Sequence, residues 1–347
     1  MSSAPAPTND KAALMQLIFN SMLGRTACWA AEKGIADLIP TDASRTIGDL
    51  ATATETDPRS LYRTMRFLAS HGIFAEEKTG GKAGHGQTFQ HTAMSVYLRS
   101  DHPESSRAAF QMFAGLFDAL LPHVDHSIRT SGSALEKGLG MGLFDFMVAH
   151  PEQAAIFDAA MTAIHGPETG AMLASYDFSG IGTLADVGGG NGSLLIGVLK
   201  QYPAMKGIVM DLEHVVDRAK GNLQAAGVAD RCTVHPVNFF EDVPAGADAY
   251  LMRHIIHDWN DEQSVQILKN CRAAVPLHGK LLLVESVVPA GNDPDIGKDM
   301  DMLMMVGPGG LERTEEEYRE LFAASGFELV GITPTPSPVA VIEARPV

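Results

Sequence analysis

An acid, a glycine-rich turn and an apolar helix follow one another in Leu184-Ala185-Asp186-Val187-Gly188-Gly189-Gly190-Asn191-Gly192-Ser193 and the apolar run 194–199. The pattern predicts a strand, a tight turn and a helix N-terminus. Glycine there lets a ligand reach the backbone, because no side chain stands in the way. A plain strand-to-helix turn would use the same residues, but two details point to a ligand. The spacing Gly188-x-Gly190-x-Gly192 differs from the GxGxxG of dinucleotide folds, and Asp186 at the strand end would repel a pyrophosphate yet accept an ammonium or a bound water.

Beyond Tyr176 short β-branched or Leu/Val runs alternate with helical stretches: 182–187, 207–211, 232–238, 249–253, 280–288, 329–333 and 339–344. Alternation of this kind predicts an α/β unit with a mostly parallel, doubly wound, Rossmann-like sheet. Only Pro334 to Pro338 separate the last two runs, too few residues for a helical crossover, so they should form an antiparallel C-terminal hairpin at the sheet edge.

The first half reads differently, and 347 residues of 45% hydrophobic composition are enough for two units. Residues 1–10 read as a flexible tail. From Ala12 to Ile39 apolar residues recur at helical spacing (Leu14, Leu17, Ile18, Met22, Trp29, Ile35, Leu38), with Gly24 and Gly34 expected to interrupt. Asp57-Pro58 opens a further helix with a stripe at Leu61, Met65 and Leu68, Gly72 stops it, Ile73-Phe74 begins a strand, and 79–86 reads as a wing tip. The sequence thus predicts a mainly helical, winged-helix-like unit over 11–105, a helical connector over 106–178 with helical stretches at 108–121 and 143–164, the second interrupted near His150-Pro151, and a ligand-binding unit over 179–347. Arg59, Arg63 and Arg66 are the winged unit's only basic stripe, which favours dimerisation or a lid over DNA binding.

Asp211 ends the second strand of the glycine-loop unit and Leu212 follows it. An acid at that strand end is placed to accept two hydrogen bonds from a ribose diol. With Asp186, it implies a nucleoside carrying a cationic, non-phosphate tail, for which S-adenosylmethionine is the natural candidate. The third strand ends in Asn238-Phe239-Phe240, able to bond an adenine edge and cover its face, although a core Phe pair beside a strand cap would look alike.

After the fourth strand come Arg253-His254-Ile255-Ile256-His257-Asp258-Trp259. A histidine at this position can take a phenolic or enolic proton near neutral pH, or can simply be structural. Glu285, inside an apolar strand, and Glu312, after Gly309-Gly310-Leu311, would need partners that an imidazole supplies. The spacing His254-x-x-His257 lacks the i, i+4 pairing of a zincin helix and no Cys pair supports it, so no metal is expected.

Forty-two acidic against 26 basic side chains, a formal charge of −16, argue against nucleic-acid and anionic-membrane partners. No secretory signal or bilayer-length apolar stretch is read, and Cys28, Cys232 and Cys271 fit neither a disulfide framework nor a CxxC site. A cytoplasmic location is expected.

Three segments in this order resemble one family: Asp186-Val187-Gly188-Gly189-Gly190-Asn191-Gly192, His257-Asp258-Trp259 with Asp261-Glu262, and Gly309-Gly310-Leu311-Glu312-Arg313-Thr314. The chain from about Leu14 onward is similar to the S-adenosylmethionine-dependent small-molecule O-methyltransferases, which include caffeate, acetylserotonin and bacterial polyketide, phenazine and carotenoid-pathway enzymes. The resemblance implies transfer of a methyl group from S-adenosylmethionine to a hydroxyl of an aromatic or polycyclic compound of secondary metabolism, leaving S-adenosylhomocysteine. It implies His257 as general base beside Asp258, with Glu285 and Glu312 orienting the ring. Cofactor contacts carry over to Asp186, Gly188, Gly190, Asp211, Leu212, Asn238, Phe239 and Arg253; Asn238 replaces the usual aspartate and Arg253 the lysine of the plant enzymes. Substrate walls would include Phe157, Met161 and His165, with Met302, Met304 and Met305 ahead of the glycine loop. The resemblance further implies a homodimer through the N-terminal unit. The alternatives are a diverged member performing N-methylation, hydroxylation or decarboxylation, an NAD-dependent dehydrogenase, and a ligand-sensing winged-helix regulator.

Overall fold

The structure is a computed structural model and describes residues 10–77 and 86–347. Contacts divide it into two compact units, one of residues up to Asp118 with Met147–Ile164, the other of Ala119–Phe146 with His165–Val347.

The first unit opens with one helix, Asp10–Glu32. It runs through Gly24, where interruption was expected, because a glycine flanked by good helix formers weakens a helix without ending it. A three-stranded antiparallel sheet follows, built from β1 (Arg45–Thr46), β2 (Phe74–Glu76) and β3 (Thr88–His91) in the order β1-β3-β2. The helix Ile47–Thr54 is capped by the Thr46 side chain, which accepts from the Asp49 amide; Asp57 caps the helix Pro58–Ser70 in the same way. Leu61, Met65 and Leu68, the expected stripe, are buried with Ile35, Ile39, Ile47, Leu50, Phe74 and Phe89. The arrangement is the expected winged helix; residues 78–85, most of the wing tip read from sequence, lie outside the described residues.

The second unit is built on a seven-stranded sheet of β4 (Thr183–Val187), β5 (Lys206–Asp211), β6 (Cys232–Pro236), β7 (Ala249–Arg253), β8 (Lys280–Glu285), β9 (Phe327–Pro334) and β10 (Ala340–Pro346), in the order β6-β5-β4-β7-β8-β10-β9. The first five are parallel; β10 runs antiparallel to both β8 and β9, which gives the expected edge hairpin. Apolar residues on both faces make two cores, one around Tyr250, Leu281, Leu283, Tyr318 and Phe322, the other around Leu184, Leu195, Val209, Leu251 and Val341. The chain leaves β4 toward β5 and β6 and returns to β7 on β4's other side. This reversal puts a crevice at the carboxyl ends of β4 and β7, where open α/β sheets bind ligands.

The helix Pro151–Ser175 passes from one unit to the other and continues beyond residue 164, where the sequence had placed its end. Pro167, which brings no amide, lies inside it. The helix persists because its last turns are anchored: Met172 is fully buried, and Glu168 and Thr169 are hydrogen-bonded within the second unit. No described helix is long and apolar enough to cross a membrane. Cys28, Cys232 and Cys271 are buried free thiols.

Candidate active site

The glycine turn leaves β4 with Gly188, Gly190 and Gly192 all at positive φ (75°, 56° and 78°). The amides of Gly188 and Gly189 donate to the Met210 carbonyl at 2.8 and 3.1 Å, tying the turn to β5. A Cβ on Gly188 would stand 2.3 Å from Ile255 Cδ1, which would have to swing aside, and the positive φ of 75° strains any side chain there whatever the space. Asp211 holds the turn from β5: its carboxylate accepts from the Gly190 amide at 2.8 Å and from the Leu212 amide at 2.7 Å.

Asp186 is 2% exposed and its Oδ2 has no hydrogen-bond partner. Burial pushes its carboxyl up to about 7, with Arg253 opposing and Asp211 adding to the rise. Arg253 at the end of β7 donates to the His165 carbonyl at 3.2 Å and to Thr169 Oγ1 at 2.9 Å. Asn238 spends its amide inside its own loop, donating to Glu241 at 2.9 Å and accepting from the Phe240 amide at 3.2 Å. Phe239 meets Trp259 edge-on, and Phe240 packs perpendicular to the same indole with ring centroids 4.7 Å apart.

His257 lies in a short 3-10 turn, Ile256–Asp258, directly after β7 and is 4% exposed. Its Nδ1–H donates to Glu312 Oε1 at 2.7 Å, with Glu285 Oε2 3.6 Å from the same nitrogen. Nε2 is 3.6 Å from Asp258 Oδ1. The sequence separates these groups widely, and the fold brings His257, Asp258, Glu285 and Glu312 together. Burial alone would depress the imidazole, but the Glu285 charge, the Glu312 hydrogen bond and the Asp258 charge outweigh it and raise His257 to about 10. Burial drives Glu285 up to about 7 against the pull of His257, and Asp258 up to about 6.

Two devices hold the imidazole in place. Glu285 Oε1 accepts from the Ile255 and Ile256 amides, both at 3.0 Å, and so fixes the chain just before His257. On the other side, the Leu311 amide donates to the His257 carbonyl at 2.9 Å, and Gly310 passes so close that a Cβ would stand 2.0 Å from that oxygen. Arg313, fully buried, locks the turn by donating to the carbonyls of Ile256 and Trp259, to Ser264 Oγ and to Asp261 Oδ1. Sequence reasoning quoted Arg313 only as part of a motif; its latch role needed the fold.

The candidate substrate residues separate. Phe157 and Met161 belong to the first unit, where they pack with Ala109, Met112 and Ala160. In the second unit, Met302 is exposed, Met305 partly buried and Met304 buried. His165 stacks on His254, with ring centroids 3.8 Å apart, and donates from Nδ1 to Glu168 Oε1 at 3.3 Å. Glu168 and His254 escaped the sequence analysis as site residues. They are bonded at 2.8 Å across 86 positions, with no local pattern to reveal it. The donor atoms of His165, Glu168 and His254, and those of His254, His257 and Glu285, lie close enough together to surround a cation.

Comparison with known proteins agrees with this geometry. Residues 15–101 match the family model described as an O-methyltransferase dimerisation domain, and residues 121–328 that of an O-methyltransferase domain. A phenazine O-methyltransferase of Lysobacter antibioticus is 39% identical over 334 residues, 96% of each chain. The crystal structure of LaPhzM superposes with a TM-score of 0.90 at 38% identity, covering 99% of this chain and 100% of that one. An O-methyltransferase from neocarzinostatin biosynthesis, NcsB1, solved with S-adenosylmethionine and 2-hydroxy-5-methyl naphthoic acid, gives 0.81 at 30% identity over 94% of this chain and 95% of that one. The chain belongs to this family and is an S-adenosylmethionine-dependent O-methyltransferase.

Proposed function

We propose that the enzyme methylates a hydroxyl group of an aromatic or polycyclic small molecule of secondary metabolism, with His257 as general base and without a metal. The observation that carries the reading is the buried His257 ring. Its Nδ1 proton is committed to Glu312 at 2.7 Å, which leaves Nε2 as the nitrogen that can accept a proton.

S-adenosylmethionine supplies, when bound, a methyl group made electrophilic by the sulfonium. The residues fit it: the unpartnered, buried Asp186 Oδ2 offers an acceptor to an ammonium, the bare Gly188 backbone admits close approach, and Asp211 stands at the strand end where a ribose diol would lie. In this reading Gly190 and Leu212 contribute backbone to the same cradle, Phe239 an apolar face and Arg253 a charge near Asp186. Asn238 contributes through its loop, since its own amide is engaged within it. His257 draws the hydroxyl proton onto Nε2, Glu312 stabilises the imidazolium, and Glu285 orients the ring by holding the Ile255 and Ile256 amides. Holding the acceptor oxygen in line with the methyl group can account for on the order of 7 to 11 kcal/mol of the barrier.

His165, Met302 and Met305 of the second unit are assigned to substrate contact, Phe157 and Met161 keep that role only as the family resemblance implies it, and the reading keeps a winged-helix dimerisation segment at 11–105, a connector at 106–178 and the cofactor-binding segment at 179–347. Phenazine and naphthoic acid, the ring systems named for the similar proteins, define the first acceptors to screen. Incubation of the enzyme with methyl-labelled cofactor and hydroxylated phenazines or naphthoates should yield an O-methyl ether by NMR. Label appearing only on nitrogen or carbon would overturn the oxygen assignment. A homodimer in the cytoplasm completes the reading, consistent with the dimerisation-domain match and the buried free thiols.

A further inference from the structure

We propose that Glu168 and His254 keep a proton on Glu285, and that this neutralised carboxyl sets the basicity of His257. The inference builds on the reading of His257 as the base.

It starts from two buried acceptors that face one another without partners. His254 Nδ1 and Glu285 Oε2 lie 3.9 Å apart, and neither has a hydrogen bond. The other nitrogen of His254, Nε2, is 2.8 Å from Glu168 Oε2, and the second oxygen of Glu168 is 3.3 Å from His165 Nδ1. A carboxylate gripped by two imidazoles can only accept, so His254 must present Nε2–H to it. The neutral ring then has no proton on Nδ1, and its bare lone pair points toward a carboxylate oxygen that is bare as well. Two such acceptors cannot be left facing each other in a dry interior at this spacing. A proton on Glu285 Oε2 removes the charge that faces the His254 lone pair, and closing the 3.9 Å gap by less than an ångström would let that proton be donated to Nδ1.

The surroundings agree. Glu285 faces His254, His257, Asp258, Glu312 and Tyr318, a set richer in acids than in cations; His254 faces Glu168, His165 and His257; His257 faces Glu285, Glu312 and Asp258. Burial raises Glu285 to about 7 and lowers His254 to about 3, the second despite Glu168. Burial opposes the low value of Glu168, but its two histidine hydrogen bonds win and hold it at about 2. His254 also keeps a left-handed backbone, φ 54°, which a non-glycine residue adopts only at a cost. The turn therefore holds this ring over Glu285 against its own preference.

The consequence falls on the base. The Glu285 charge is the largest influence raising His257, and an imidazole held near 10 would already carry its proton at neutral pH. Neutralising Glu285 removes that influence, while Glu312 still orients the ring. Glu168 and His254 are thus positioning residues acting through Glu285.

The test is 15N NMR titration of the histidine rings in the full-length protein saturated with S-adenosylhomocysteine. In the unaltered protein His254 should show the Nε2–H tautomer with a bare Nδ1; an Nδ1–H tautomer overturns the proposal without any variant. In His254→Asn, a residue that tolerates the left-handed backbone, Glu285 ionises and the His257 titration should move up by about one pH unit or more. It should return in His254→Asn/Glu285→Gln, where the amide stands in for the protonated acid. Glu285→Gln alone should leave the His257 titration within about half a unit of the unaltered protein. A fall of a unit or more in that variant, or no movement in His254→Asn, overturns the proposal. The acid limb of kcat/KM should follow these shifts. Ring titrations that move while the limb stays fixed would sink His257 as the base and leave the proton assignment standing.

Discussion

In the proposed reaction His257 works with a proton already committed on one nitrogen, and its neighbours decide when the other nitrogen is free. An imidazole must be neutral to accept a proton, and with Glu285 protonated the Glu312 hydrogen bond and the Asp258 charge remain to raise it against burial. The proton-accepting form is therefore lost as pH falls through the raised value. kcat/KM should rise with pH along one acid limb when measured across a pH series at limiting acceptor; a profile with no acid limb contradicts His257 as the base. Two glycines test the surroundings. Gly188→Ala puts a methyl group 2.3 Å from Ile255 Cδ1 at a φ of 75°, and should weaken S-adenosylhomocysteine binding by about tenfold or more in calorimetry. Gly310→Ala places its Cβ 2.0 Å from the His257 carbonyl oxygen. Since the obstacle is backbone, the loop must retreat and draw Glu312 away, so kcat should fall by at least about tenfold while cofactor affinity holds. At this scale His257, Glu285 and Glu312 were legible because a histidine past a strand end and acids among apolar residues are anomalies. Glu168 and His254 were not, since their bond depends on how a helix and a strand end meet.

Among the elements, the seven strands and the closing hairpin follow from alternation and from the shortness of 334–338, information that is local. Two elements depart from the sequence reading: the helix Asp10–Glu32 runs through Gly24, which was read as punctuation, and the helix Pro151–Ser175 runs on past Ile164, where its end was placed. Packing overrode local propensity in the second case, where the turns beyond Pro167 carry the buried Met172 and the bonded Glu168. The first helix has a different consequence. Leu14, Leu17, Ile18 and Met22, read from sequence as an apolar stripe, are each at least 60% exposed in the single chain. Such a face, in a segment matching a dimerisation domain, calls for a second copy of the chain. Leu17→Glu/Ile18→Glu should shift the protein from dimer to monomer in analytical ultracentrifugation; a wild-type chain that sediments as a monomer would contradict this.

Considered whole, the molecule divides the labour between a winged-helix unit and a doubly wound unit that holds every residue assigned to the cofactor and to proton removal. The overall charge of −16 and the glycine spacing argued against nucleic-acid and dinucleotide readings from composition and pattern alone. The acceptor was less legible, because an apolar run such as Met302 to Met305 carries no pattern that tells a substrate wall from ordinary packing. Everything said of the reaction depends on His257 removing the acceptor's proton. The most direct measurement is turnover of His257→Ala with a confirmed acceptor, alongside calorimetric titration with S-adenosylhomocysteine. Turnover should drop by at least about a hundredfold with cofactor affinity nearly unchanged; near-wild-type turnover would contradict the account.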